Sequence, residues 1–211
     1  MTNLHRFDAA FAACPLVAIL RGVRPDEIEA IGDALVEAGF TLIEVPLNSP
    51  DPFASIELLA RRFGDRAVVG AGTVLTVEDV LRVEATGGTL IIAPNANPAV
   101  ISAAAERGLV AMPGIATPTE AFAALAAGAA ALKLFPAEAA SPKVLKAMRA
   151  VLPKDVRMLP VGGITPEAMG PWREAGAAGF GLGSALYAPG MTAAEVGERA
   201  RAFVAALPSV G

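Results

Sequence analysis

EAGFTLIEV (37–45), ATGGTLIIAP (85–94), AERGLVAMPG (105–114), AAGAAALKLFP (126–136) and EAGAAGFGLGS (174–184) repeat one phrase: a helical stretch closes on Ala or Gly and an apolar run follows. Gly39, Gly64, Gly87, Gly108, Gly128 and Gly176 read as helix C-caps feeding buried strands. Their spacing is roughly 20–25 residues until the last gap, where VLPKDVRMLPV (151–161) supplies the missing unit. Strands are expected near 17–20, 41–45, 67–71, 89–93, 109–112, 130–134, 157–161 and 179–182, with helix-length segments between them. Eight strands alternating with helices imply an α/β fold, a (β/α)8 TIM barrel.

Working outward, Thr117-Pro118-Thr119-Glu120 and Thr165-Pro166-Glu167 each put a capping hydroxyl before proline, with an acid in the first turn. Residues 3–13 read as a short amphipathic helix outside the repeat, placed to cover the N-terminal mouth of the barrel. The chain is expected to be one domain, 1–211, with residues 1–14 as an N-terminal helical extension.

Composition excludes several classes. Seventeen Lys and Arg against twenty-one Asp and Glu give a formal charge of −4 without a basic cluster, so nucleic acid is not an expected partner. The apolar stretches 9–20 and 121–132 are broken by Pro15 and ended by Lys133, well short of the roughly 20 residues that span a bilayer. No membrane segment is expected. Asp8 falls where a signal peptide would need its apolar region, and Cys14 is the only cysteine, which together suggest a cytoplasmic setting. With His5 the only histidine, neither a Ser-His-Asp triad nor a multi-His zinc site can be assembled within one chain. Chemistry then rests on Lys, Arg and carboxylates, with no metal or other cofactor expected.

In barrels of this kind the active site lies at the C-terminal ends of the strands. Of the four lysines, only Lys133 lies inside an apolar strand, AAALKLFPA. Burial there should lower its pKa from about 10.4 toward neutrality and favour a nucleophilic amine. A structural lysine paired with an interior carboxylate is the alternative. Glu44, in TLIEVPLNS, is suited to shuttling protons or, equally, to an interior ion pair with Arg21. Arg21 ends the first strand beside Gly22, where its planar guanidinium can clamp a carboxylate; Arg24 competes for that role from a more exposed turn. Thr73 offers a hydroxyl in VVGAGTV, a pattern that a tight turn explains as well. VGGIT after the seventh strand and GLGSALY after the eighth mark Gly162, Gly163, Gly183 and Ser184 as phosphate ligands through backbone N–H groups and a helix N-terminus. Glycines that merely allow tight turns are the alternative.

Over nearly its whole length the sequence resembles the class I 2-keto-3-deoxy-6-phosphogluconate/galactonate aldolases. The resemblance is carried by AILRG (18–22), IEVPLNSP (43–50), GAGTVL (70–75), APN (93–95), Pro113-Gly114, LKLFPA (132–137), VGGITPE (161–167) and GLGSALY (181–187). It implies that Lys133 is the Schiff-base lysine, Glu44 the proton carrier, and Arg21 and Thr73 the binders of the pyruvate half. Pro94 and Phe135 would pack on the pyruvyl group; Gly163, Ile164, Gly183, Ser184 and Ala185 would line the phosphate end. It also implies a homotrimer and a phosphorylated 2-keto-3-deoxy sugar acid, cleaved to pyruvate and glyceraldehyde 3-phosphate.

Two segments depart from the phosphogluconate pattern. Val45-Pro46-Leu47-Asn48-Ser49 stands where an EVTLRT-like segment, with its carboxylate-binding arginine, is typical, and Val161 stands where threonine precedes the glycine pair. Both resemble the phosphogalactonate branch. The two substrates are epimers at the fourth carbon, and a valine in place of a hydroxyl removes a hydrogen bond that one epimer requires. Arg21 would then carry the carboxylate largely alone. A phosphogluconate or dual-specificity aldolase is the neighbouring alternative. A phosphosugar isomerase or epimerase using Glu44 as base, and a non-catalytic phosphosugar-binding barrel, are the alternatives of other classes.

Overall fold

The computed structural model describes residues 1–207, an α/β fold in which a parallel sheet curls around a concave face. Its strands are β1 (Leu16–Ile19), β2 (Leu42–Pro46), β3 (Val68–Gly72), β4 (Leu90–Ile92), β5 (Val110–Met112), β6 (Gly114–Ile115), β7 (Leu132–Leu134), β8 (Met158–Pro160) and β9 (Phe180–Leu182). Helix α1 (Asn3–Ala13) precedes β1. Between and after the strands come α2 (Ile28–Glu37), α3 (Pro52–Phe63), α4 (Val77–Ala85), α5 (Pro98–Glu106), α6 (Pro118–Ala126), α7 (Pro142–Arg149), α8 (Met169–Glu174) and α9 (Ala193–Ala205).

Six strands pair in the order β5-β4-β3-β2-β1-β9 and three in the order β6-β7-β8, all in parallel. A bridge between Val161 and Gly181 joins β8 to β9. At the other seam, the Ala130 N–H donates to the Ala111 carbonyl (2.9 Å). The fifth expected strand is β5, and a further two-residue strand, β6, follows it beyond Pro113, which has no N–H to give the ladder but whose carbonyl accepts from Lys133 N–H at 2.9 Å.

Side chains alternate across each strand, and both faces are buried. Ala18, Ile43, Val45, Val69, Ala71, Ile91, Ala111, Leu132 and Met158 face the helices and join the larger core. Val17, Leu42, Val68, Leu90, Val110 and Leu159 point the other way, into the concave face, where Phe7 and Phe11 of α1 close over them. Thr41 reinforces that closure: its hydroxyl donates to the Ala10 carbonyl (2.7 Å).

Local signals behave as the sequence suggests, with one exception. Gly39, Gly87, Gly108, Gly128 and Gly176 take positive φ after their helices, whereas Gly64 caps α3 at φ −52 in ordinary helical geometry. Its chain turns only at Asp65-Arg66, where the Arg66 and Ala67 N–H groups both donate to Phe63. Thr117 and Glu120 form a reciprocal capping box on α6. Thr165-Pro166-Glu167 instead opens a 3-10 turn (Pro166–Ala168) without a capping hydrogen bond from the threonine, and α8 starts later, at Met169. No helix of the described residues is long and apolar enough to cross a membrane.

Phe7 is fully buried within the inner apolar cluster of the concave face. Phe7→Ala should therefore lower unfolding free energy by about 3–5 kcal/mol, the usual cost of a large core truncation. Urea denaturation followed by circular dichroism measures it, and a loss below about 1 kcal/mol would mean that α1 is not part of the core.

Candidate active site

The strand alternation that buries Leu42 and Ala131 in the concave face carries Glu44 and Lys133, two residues farther along, to the same side one layer nearer the C-terminal ends. Ile19, Ile92, Met112, Val161 and Gly181 complete this layer around a small chamber. Two ionisable groups thus sit in an apolar shell: Glu44 is 1% exposed and Lys133 6%. Glu44 Oε2 has no hydrogen-bond partner. Lys133 Nζ lies 4.6 Å from the centre of the Phe135 ring, whose face offers the ammonium weak compensation for lost water. Among the described residues no ion pair joins Lys133 to Glu44, nor Glu44 to Arg21.

Burial therefore decides their acidity. It lowers the Lys133 pKa from the ordinary lysine value; Glu44 opposes that shift and Arg21 reinforces it. Burial likewise raises the Glu44 pKa, while Lys133 and Arg21 hold it down. Both shifts favour the neutral forms, an amine that can attack and a carboxyl that can hold a proton.

Arg21, just past β1, is committed elsewhere than to Glu44. Its guanidinium donates to Asn48 Oδ1 (2.7 Å) across the mouth of the site. Next to it, the Gly22 N–H donates to Ser49 Oγ (2.9 Å), so the loops after β1 and β2 are tied twice. Arg24 is engaged with Asp26 and Glu27 at the surface, with its side chain 56% exposed.

A larger cavity of about 290 Å³ opens above the chamber, sharing Ile19, Lys133 and Val161 with it. Arg21 and Phe135 line one side. Gly162, Gly163, Ile164, Gly183, Ser184 and Ala185 line the other, so the expected phosphate residues converge. No helix N-terminus is among them: residues 184–186 form a turn, and α9 begins only at Ala193. The anion-binding capacity lies instead in backbone donors. The N–H groups of Gly163, Ser184 and Ala185 bond to no acceptor among the described residues. Arg199 of α9 donates to the Ser184 and Ala185 carbonyls (3.3 and 3.4 Å) from outside. In a trans peptide the N–H points opposite the carbonyl, so this grip turns the Ala185 N–H away from Arg199.

Thr73 and Pro94 line neither space. Thr73 follows β3 at φ 58, a rare conformation for a β-branched residue and a marker of local strain. The backbone of Pro94 packs against Gly114, where a Cβ would have no room. Three residues in the structure carry site roles that the sequence did not suggest. Asn48 holds Arg21. Glu138, in the 3-10 turn Ala137–Ala139, lines the cavity with its carboxylate against Gly162 and Gly163, whose φ values of 115 and 64 and lack of Cβ make room for it. Its signal was an acid two residues after the proline of LKLFP. Tyr187 lines the cavity and donates to Glu27 (2.9 Å), with burial first and that bond second raising its pKa.

Because the chain has only four lysines, ¹³C-lysine labelling resolves the titration of Lys133. Its midpoint should lie below the ordinary value of about 10.4. Glu44→Gln removes an attraction that favours the ammonium and should lower the midpoint further, whereas Arg21→Met removes a repulsion and should raise it. Midpoints unmoved by both substitutions would refute this electrostatic picture.

Comparison with known proteins follows the same lines. The model of the family described as KDPG and KHG aldolase matches residues 7–202. A probable 2-dehydro-3-deoxy-6-phosphogalactonate aldolase of Rhizobium meliloti is 51% identical over 93% of this chain and 92% of that protein. The 2-dehydro-3-deoxy-6-phosphogalactonate aldolase of Escherichia coli is 48% identical over 91% of this chain and 94% of its own length. A solved structure described as native KDPGal superimposes with a TM-score of 0.90 at 48% identity, over 91% of this chain and 93% of that one. A 2-keto-3-deoxy-6-phosphogluconate aldolase of Zymomonas mobilis, at 25% identity, gives 0.86 over 97% and 98%. With the family model spanning nearly the whole chain and such relatives beside it, the chain belongs to the KDPG and KHG aldolase family.

Proposed function

We propose that the protein is a class I aldolase that cleaves 2-dehydro-3-deoxy-6-phosphogalactonate to pyruvate and D-glyceraldehyde 3-phosphate. The observation that carries this reading is a desolvated lysine and an unpartnered carboxyl in one dry layer beneath a cavity rimmed by open N–H donors. Two relatives at 48–51% identity bear that aldolase name, which supports the choice of substrate.

In this proposal the neutral Lys133 amine adds to the second carbon of the substrate, and the carbinolamine hydroxyl, taking a proton from solvent, leaves as water to give an iminium. The positive charge of the iminium favours the ionised form of Glu44, which gives its proton to solvent; that carboxylate, through a water, takes the proton from the fourth-carbon hydroxyl. The bond between the third and fourth carbons breaks with its electron pair drawn into the iminium, giving an enamine and releasing glyceraldehyde 3-phosphate. Glu44 then returns a proton to the enamine carbon, and water frees pyruvate. Arg21, its guanidinium steadied by Asn48, holds the carboxylate largely alone. Thr73 assists at that end from its strained position, Pro94 and Phe135 pack on the pyruvyl group, and Gly162, Gly163, Ile164, Gly183, Ser184 and Ala185 receive the phosphate. Val161 borders both the chamber and the cavity with a side chain that offers no hydrogen bond, in keeping with the galactonate epimer.

We extend the same reading to the whole molecule. The bridge at one seam of the sheet and the Ala130 bond at the other support closure into one (β/α)8 barrel, with α1 as an N-terminal extension of a single domain. The family resemblance, together with exposed Leu75, Val77 and Leu81, supports a homotrimer. The single thiol of Cys14, buried and pushed up to about 11, fits the cytoplasm.

Borohydride reduction in the presence of pyruvate should add a pyruvyl group to Lys133, seen by peptide mass spectrometry; an unmodified Lys133 in active enzyme would overturn the mechanism. The substrate is tested by comparing kcat/KM for the two phosphorylated epimers, where the galactonate epimer should be preferred. Val161→Thr should move that ratio toward the gluconate epimer by about tenfold, the worth of one hydrogen bond. A clear gluconate preference in the unmodified protein would refute the assignment.

A further inference from the structure

Gly72, the last residue of β3, stands opposite Pro46 in the register with β2, and Gly70 stands opposite Glu44. Both glycines face the concave side, since Val68 before them does and Ala71 between them packs toward the helices. The Glu44 side chain does not extend straight across to Gly70. It leans along the strands, and its carboxyl group comes to rest over the bare Cα of Gly72. A Cβ at position 72 would lie 2.5 Å from Glu44 Oε2, 2.6 Å from Cδ and 2.8 Å from Oε1. All three nearest atoms belong to that one carboxyl group.

Gly70 makes a useful contrast. A Cβ there would collide with the backbone of Leu90 in the adjacent strand, so Gly70 is demanded by the fold. Gly72 is not. It is absent from the residues with positive φ, so alanine there meets no left-handed backbone penalty, and the three closest conflicts are with the end of a side chain. Glu44 has little else to position it: Oε2 lacks a partner, and no ion pair to Lys133 or Arg21 forms among the described residues. A buried carboxyl without hydrogen-bonded anchors is located by the shape of the space left for it.

We infer that Gly72 is a positioning residue, whose missing side chain forms the seat that aims the Glu44 carboxyl at the reacting carbons above Lys133. The inference rests on the reading of Glu44 as proton carrier. A methyl group at position 72 pushes the carboxyl off its seat by a fraction of an ångström or into another rotamer. The steps that need Glu44 then slow, while the Lys133 amine, on the far strand β7, still condenses with a ketone.

The test uses Gly72→Ala and separates proton transfer from Schiff-base formation. With the full-length protein, borohydride trapping of pyruvate on Lys133 should remain, and KM should change little. Exchange of pyruvate methyl protons into deuterated water, which reports proton transfer at the enamine carbon, should fall by about 10² or more, in step with kcat. A Gly72→Ala/Glu44→Asp variant supplies the control: the shorter acid clears the methyl group, so its exchange rate should exceed that of Gly72→Ala. Unchanged exchange and kcat in Gly72→Ala would overturn the inference, as would loss of trapping in that variant or a double variant slower than the single. Absence of trapping in the unsubstituted protein would instead overturn the Lys133 reading itself. Failure of Glu44→Gln to slow exchange while trapping persists would remove Glu44 as proton carrier, and Gly72's role with it.

Discussion

The site depends on desolvation without neutralisation. An ammonium and a carboxylate placed in an apolar layer ordinarily pair directly, because each repays part of the other's lost hydration. Here Lys133 and Glu44 share the layer but form no ion pair, and Glu44 Oε2 is left without a partner. The neutral forms are thereby stabilised, and the neutral forms are those that nucleophilic attack and proton delivery require. Such an arrangement costs folding free energy, which the surrounding core must offset. Two apolar clusters, one on each face of the sheet, supply that surplus.

The rest of the architecture can be understood as keeping that layer dry and open at one end only. Phe7 and Phe11 close the concave face from the N-terminal side, and Leu42 and Ala131 lie in the apolar cluster beneath Glu44 and Lys133. From the other side, the loops after the strands define an entrance in which charge is distributed by distance: Arg21 with Asn48 near the chamber, backbone N–H groups of Gly163, Ser184 and Ala185 farther out. Glu138 lies among these donors, an acid beside the place proposed for a phosphate. Its exposure leaves the side chain free to rotate, whereas Glu44 has no such latitude.

Much of the fold is legible because it comes from local rules that neighbouring residues satisfy together. The Gly-punctuated phrase locates strands to within one or two residues, and period-2 alternation places Glu44 and Lys133 on the inner face once Leu42 and Ala131 are inside. One local signal takes an unexpected geometry: Thr165-Pro166-Glu167 opens a 3-10 turn, and α8 starts only at Met169. The signal marks the start of helical structure, but its geometry is set by what packs beside it.

For the candidate site, the sequence by itself determined which side chains are candidates for the chemistry: one lysine in a strand, one acid in another, an arginine at a strand end and two glycine-rich turns. These follow from residue type and periodicity, which any segment expresses without its partners. Only the tertiary structure decided how they are joined. That Arg21 engages Asn48 rather than Glu44, that Tyr187 and Glu138 enter the cavity, and that the Glu44 carboxyl rests over Gly72 all depend on segments brought together from different parts of the chain. Their positions depend on strand register and loop closure, which no local pattern encodes.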